Sequence, residues 1–475
     1  ASARGARGVT MITYRKGFPS PYSLLFRMHG AAWVRTLLPA FTAALATILL
    51  NVFAGDGSDV PGIRAGGGWR HPYTYQTFAF IVGFSVVFRN SSAYQRYNQA
   101  RTDVQTMTGK LVESAVQICT YDLVTDDGGQ AREKSKDFRR AFIHLLSLMH
   151  ALMCQYLRSD WNLENICTHV PGKHPVQDSH KLPQVKKLVF SGAYWHTILC
   201  LQTTQHAQEI YNNLTPLLVV GGLDAEEKKG LYPLMDGGDL YIGHLAPAAV
   251  RVETCYAWLH RLILARWKAG GLAVPPPVLS RTYQVLNDAL NAFNLLRGIA
   301  DIPFPFPYSN AIILILMIYT LTVPLLMWIW VKSAWFGALL AFIATFTYWT
   351  LNEIARDLED PFLYEPNDLP LVRMQFLFNE RILAVERETG SMERPPSQSA
   401  LCNAWLGQNG PMSYQTVESH GLYEQIDWSS VSQSDTYFNC TVNPKKAVER
   451  LRSTRGFGST IFKKIQKDLK LRNSV

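Results

Sequence analysis

Four long stretches of this chain carry no charged residue, and they restrict its folding more than any other feature. Thr36 to Ala54 is 19 residues, Pro72 to Phe88 is 17, Ile302 to Val331 is 30, and Ser333 to Asn352 is 20. A helix needs about 20 apolar residues to cross the hydrocarbon core of a bilayer. Each stretch meets that length, the second by running upright or continuing into Arg89–Asn90. The first follows some 35 residues of polar and basic sequence, so it is not a secretory signal. The sequence predicts an all-α integral membrane protein with four transmembrane helices.

Basic residues orient the spans. Arg4, Arg7, Arg15, Lys16, Arg27 and Arg35 precede the first, and no acid occurs before Asp56. That end is expected inside, and four crossings return the C-terminus to the same side. Lys332 alone separates the last two spans, which predicts a tight hairpin. The segment 89–301 is of a different kind. It holds 22 Lys and Arg, 19 Asp and Glu, and nine His. Its apolar residues recur at helical spacing, as in Phe138, Phe142, Leu145, Leu146, Met149 and Met153.

The expected organisation follows. A basic segment (1–35) precedes spans one and two (36–101). A helical domain (102–301) lies on the cytosolic or stromal side, and spans three and four follow (302–352). An acidic loop and helix (353–395) lead into a tail (396–475). Between 445 and 475 there are ten Lys and Arg against Glu449 and Asp468. Phe457, Ile461, Phe462, Ile465 and Leu469 share one face there, so a partly disordered tail with a basic amphipathic end is expected.

The overall charge of +9 suits nucleic acid, an anionic membrane surface or small anions. With the spans so placed, nucleic acid is not an expected partner. The seven cysteines form no CxxC pair, so neither a zinc site nor a disulfide framework is indicated. HExxH, GxxxxGK[ST] and GxGxxG are all missing, and the 12 histidines are dispersed. No enzyme is read here.

Two regions carry a functional signal. In the second span, Gln76, Phe80, Phe84 and Phe88 are spaced by four and form a stripe down one helix face. Such a stripe packs a core or lines a pore neck; in a neck, ring edges present partial positive charge to an anion. Arg89, Arg96 and Arg101 follow directly. Between 353 and 368 there are six acids and one base, Arg356. Those acids either pair with the arginines or hold a hard cation.

The chain resembles the bestrophin family, its microbial and plastid branch more than its animal one. Four motifs carry the likeness: Phe88-Arg-Asn-x-x-Ala-Tyr-x-Arg, Ile302-Pro-x-Pro-x-Pro-Tyr, Leu351-Asn-Glu-Ile-Ala-x-x-Leu-Glu-Asp-Pro-Phe and Asn367-Asp-Leu-Pro-Leu. It extends from about Pro21 to Leu383 and leaves out the tail. The resemblance implies a homopentameric channel in the lipid bilayer with one central pore, passing chloride and other small anions such as bicarbonate or nitrate. It places a hydrophobic neck at Gln76, Phe80 and Phe84, with Gln76 departing from the usual aliphatic residue. A second constriction is implied near Trp267 to Val274. Arg89, Arg96 and Arg101 would line an anion vestibule. No cofactor is required. Calcium is the one optional ligand, and on the animal pattern Asp357 and Asp360 would offer carbonyls and Glu365 and Asp368 carboxylates. Leu363 stands where that pattern has glycine. The rival readings are a secondary transporter of anions and a non-conducting scaffold. A chloroplast thylakoid or other organelle membrane is the expected location, with the plasma membrane as alternative. A chain that does not start with Met also fits a leader removed upstream.

Overall fold

The computed structural model describes residues 31–54, 73–122, 129–171, 208–209, 211–213, 215–231, 246–272, 274–363 and 367–390. The basic N-terminal segment, the loop after the first span, Glu365 and the whole tail lie outside the described residues.

Helices dominate. They are α1 (Leu37–Ala54), α2 (Tyr73–Tyr121), α3 (Gly129–Leu157), α4 (Ala225–Leu231), α5 (Ala246–Lys268), α6 (Pro276–Asp301), α7 (Phe306–Trp330), α8 (Ala334–Glu359) and α9 (Leu371–Gly390). Two three-residue strands, β1 (Ile166–Thr168) and β2 (Leu217–Val219), pair in parallel, with Cys167 opposite Leu218. They fall outside the all-α expectation, because strands this short leave no alternation to read.

Among the described residues, three apolar stretches, Ala32–Ala54, Phe306–Trp330 and Ala334–Glu359, are long and apolar enough to cross a membrane. The start of α2 is more polar, with Tyr73, Thr74, Gln76, Thr77 and Ser85 among its residues. It packs with α7 and α8 around Val82, Val86, Ile312, Leu316, Tyr319, Val323 and Ala341, while α1 lies against α7 and α8. Gly83 makes this approach feasible. A Cβ there would stand 3.2 Å from Tyr348 Oη. Hydrogen bonds tie the bundle further: Tyr75 Oη to Thr322 Oγ1 at 3.1 Å, Trp349 Nε1 to Thr320 Oγ1 at 2.8 Å, and Thr36 Oγ1 to Thr350 Oγ1 at 2.9 Å.

α2 does not stop where its apolar run ends. It continues for 49 residues, about 74 Å at 1.5 Å per residue, into the second part of the molecule. There it packs along α6, with Lys110 near Asp288 at 3.8 Å and Thr282 donating to Gln117 at 3.0 Å. α3, α5 and α9 complete a domain around Met107, Leu111, Phe142, Leu146, Met149, Leu259, Phe293 and Phe378. A buried polar cluster joins α3, α9 and β2. Gln375 and Asn379 both donate to the Leu218 carbonyl, at 2.7 and 2.8 Å, and Ser147 donates to Asn379 at 2.8 Å.

Two expected boundaries move. Residues 36–101 and 102–301 are not separated by a break, since residue 101 lies inside α2. The acidic segment beginning at 353 is not a loop at its start: Glu353 to Glu359 form the last two turns of α8. Their carboxylates have cationic partners, so the helix persists beyond its apolar part.

Candidate functional site

On α2 the buried residues Val82, Val86, Arg89 and Ala93 face the subunit's own helices. Phe80 and Phe84 face away, 73% and 65% exposed, and Gln76 is exposed beside them. At about 100° per residue the two phenylalanines straddle the middle of the exposed arc, opposite Val82 and Val86. The helix is amphipathic in an unusual sense: its outward face is uncharged and aromatic, and its inward face ends on an arginine. Phe88, at the edge of the arc, rests edge-on against Tyr308 with ring centroids 5.8 Å apart.

The three arginines below this stripe have different surroundings. Arg89 is 3% exposed. Its Nε and Nη2 donate to the two carboxylate oxygens of Glu359 at 2.8 and 3.1 Å, and Nη1 donates to Asn352 Oδ1 at 2.6 Å. The Phe304 ring lies 5.9 Å from its guanidinium carbon. Arg96 donates through Nε to the Glu359 carbonyl at 2.8 Å and through Nη2 to the carbonyls of Ile299 and Ile302. These are terminal carbonyls of α8 and α6, where a cation complements the helix dipole. Arg101 is exposed and donates to Asn98 Oδ1 at 2.9 Å. Of the expected vestibule residues, Arg101 thus presents its charge to solvent, whereas Arg89 and Arg96 are engaged inside the subunit. A buried guanidinium has to be paired, which explains the difference.

The acidic end of α8 also receives the flank of α1. Arg35 Nη1 donates to Asp357 Oδ1 at 2.5 Å and lies 3.6 Å from Glu353, which also pairs with Arg356 at 2.7 Å. Asp357 is therefore part of an ion pair, Asp360 caps α8, and Asp368 is buried nearby in sequence. Among the described residues, no three His, Cys, Asp or Glu are grouped to hold a metal ion, and Glu365 is outside them. The sequence reading had Glu359 only as one of six acids that could pair with Arg89, Arg96 and Arg101, and Arg35 only among the bases before the first span; Asn352 had no role in it. The excess of six acids over one base between 353 and 368 was the signal that arginines elsewhere must come to meet them.

The model of the family described as "Bacterial/Fungal Bestrophin protein" matches residues 11–213 and 226–383, about three quarters of the chain. Against curated protein sequences nothing matches. Among solved structures, a crystal structure of a bacterial bestrophin homologue from Klebsiella pneumoniae carrying one leucine-to-threonine mutation is 14% identical, covers 75% of this chain and 99% of its own, and gives a TM-score of 0.49. Another from the same organism, phased on zinc, is 15% identical, with coverages of 74% and 97% and a TM-score of 0.47. The matched residues take in the whole aromatic stripe of α2 and all the arginines and carboxylates that join it to α8, and with apolar helices of membrane-spanning length this chain belongs to the bestrophin family of integral membrane proteins.

Proposed function

We propose that the protein is one subunit of an anion-selective bestrophin-type channel, a homopentamer whose neck is lined by Gln76, Phe80 and Phe84 from each copy. One observation carries the reading: the uncharged aromatic stripe of α2 faces away from its own subunit, on a helix that runs unbroken into a charged soluble domain. Five such helices around one axis would stack two rings of five phenyl groups along the path, one helical turn apart. An aromatic constriction resists wetting, and its ring edges tolerate an anion better than a cation. Exposed Arg101 and the excess of basic residues would raise the local anion concentration. Chloride is the first candidate ion, then bicarbonate and nitrate. Permeation is passive and asks for no cofactor; calcium at Asp357, Asp360, Glu365 and Asp368 would be a regulator rather than a participant. An organelle membrane such as the thylakoid, or the plasma membrane, would house it.

The test is conductance in a reconstituted bilayer. With a chloride gradient, the wild-type current should reverse near the chloride equilibrium potential. Phe80→Ala and Phe84→Ala should each pass more current, and Gln76→Ala should change it less, since that ring is already polar. Native mass spectrometry of the same preparation should give a pentamer. If both Phe→Ala proteins assemble and conduct as wild type does, the stripe faces lipid or a neighbouring helix and the neck is elsewhere.

A further inference from the structure

Arg89 stands nine residues after Phe80, about 180° around the helix from it, and about 140° from Phe84. It is therefore on the back of α2 relative to the stripe. Its paired contacts with both oxygens of Glu359, plus the bond to Asn352, fix direction as well as distance. Lysine, a single point charge, cannot reproduce that fork. Arg96, seven residues on, returns to the same face of α2, and it takes hold of the same residue through the Glu359 backbone carbonyl. Two arginines two turns apart thus grip the last residue of α8, one by its side chain and one by its main chain. Rotating α2 would leave a guanidinium and a carboxylate buried and unpaired, which is strongly unfavourable.

We propose that Arg89 is a positioning residue: its clamp on Glu359 sets the rotation of α2 and so keeps Phe80 and Phe84 turned away from the subunit. The inference rests on the reading of α2 as the pore-lining helix. The Arg89–Glu359 clamp does not touch the permeating ion. It acts through the helix, and its loss changes which residues line the neck rather than the charge the ion meets.

The experiment uses the assembled full chain in liposomes with Phe84→Cys as reporter. The rate at which a small water-soluble thiol reagent modifies that cysteine is measured, and the reporter-free protein supplies the background. Cys119, Cys154, Cys167 and Cys255 are buried and should contribute little to it. Arg89→Lys keeps the charge and loses the fork; Glu359→Gln keeps the shape and loses the charge. Each should change the reaction rate by about threefold or more, and the double variant should change it no further than Arg89→Lys alone, because the Arg89–Glu359 contact can be broken only once. Unchanged rates in both assembled single variants overturn the proposal, and so do effects that add in the double variant. A reporter reached only by a membrane-soluble reagent, with Arg89 in place, would instead refute α2 as the pore-lining helix.

Discussion

Alkaline pH should loosen the connection between β2 and α4, and the reason is a single imidazole. His144 on α3 turns Nδ1 to the Val220 carbonyl at 2.6 Å and Nε2 to Glu227 Oε1 at 2.8 Å. A carbonyl and a carboxylate only accept hydrogen bonds, so both ring nitrogens must carry protons and the group is an imidazolium. Burial pulls its pKa down. The Glu227 carboxylate and the Val220 carbonyl outweigh that and leave it above the ordinary 6.5. Glu227 is shifted the opposite way, below 4.5, chiefly by the same bond to His144. The His144 contribution is therefore complete below pH 6.5 and fades as the pH rises through its elevated folded value. The Glu227 contribution is complete above pH 4.5 and fades as the pH falls through its depressed one. The pair is strongest between those limits. Hydrogen bonds to charged groups contribute about 1.5–3 kcal/mol. These side chains keep 20% and 24% of their surface in water, which favours the lower part of that range. A loss of about 1.5–2 kcal/mol raises local opening roughly 10- to 30-fold. Hydrogen exchange of residues 217–231 at pH 6 and pH 9, corrected for intrinsic rates, would read this directly. His144→Gln should show the loosened state at pH 6 and no further change at pH 9. Equal protection at the two pH values in the wild type, or the same pH response in the variant, would refute the argument.

Two further outcomes are expected. His150 is fully buried, and burial lowers its pKa to about 4 although the Gln375 bond opposes this; its imidazole nitrogen signals should not titrate between pH 8 and 5, and stability should fall as the pH drops from 6.5 toward 4, where only the unfolded chain takes up the proton. Asp122 is completely buried, with Arg266 bound at 2.7 Å, Ser135 at 2.6 Å and Arg139 4.0 Å away, so Arg266→Met should cost about 3 kcal/mol in denaturant unfolding, the low end for a broken buried pair because Arg139 remains, and Asp122→Asn added to it should recover part of the loss.

The apolar helices α1, α7 and α8 were legible because desolvating a charge is so costly that uncharged runs of this length stand out in any sequence. The stripe of Phe80 and Phe84 was legible for a related reason, since a spacing of four places residues on one face whatever the tertiary structure. Continuity was not. The onset of charge at Arg89 suggested a boundary near residue 101, yet a helix satisfies its own backbone and can pass from an apolar to a polar setting without a break. α2 contains no proline to stop it before Tyr121. The individual partners of long-range pairs were not legible, for a different reason. Arg89 and Glu359 are 270 positions apart, and Arg35 and Asp357 are 322 apart. The sequence offered Arg89, Arg96 and Arg101 as cations for the acids after residue 352, and Arg89 does meet Glu359, but it did not say which acid each would meet, that Arg35 would join them, or that Glu353 to Glu359 would be helical. His144 is the same case on a smaller scale: a dispersed histidine looks structural until both of its nitrogens are seen to meet acceptors.

The charged contacts at the end of α8 answer a problem that the apolar spans create. In a bilayer, helices gain little hydrophobic free energy by meeting one another, because lipid chains are as apolar as leucine. Rotation and height are then set by close small-residue contacts and by polar groups. The bundle has both: Gly83 against Tyr348 fixes distance, and Tyr75–Thr322 and Trp349–Thr320 fix facing sides. Neither opposes a rotation of α2 as firmly as a buried, two-pronged ion pair does. Arg35 from the flank of α1 and Arg89 and Arg96 from α2 converge on the last two turns of α8, where the helix dipole already favours cations. Charge is thereby placed where it can be satisfied by partners of the same subunit, and the stretch of α2 beyond it is free to present an uncharged aromatic face.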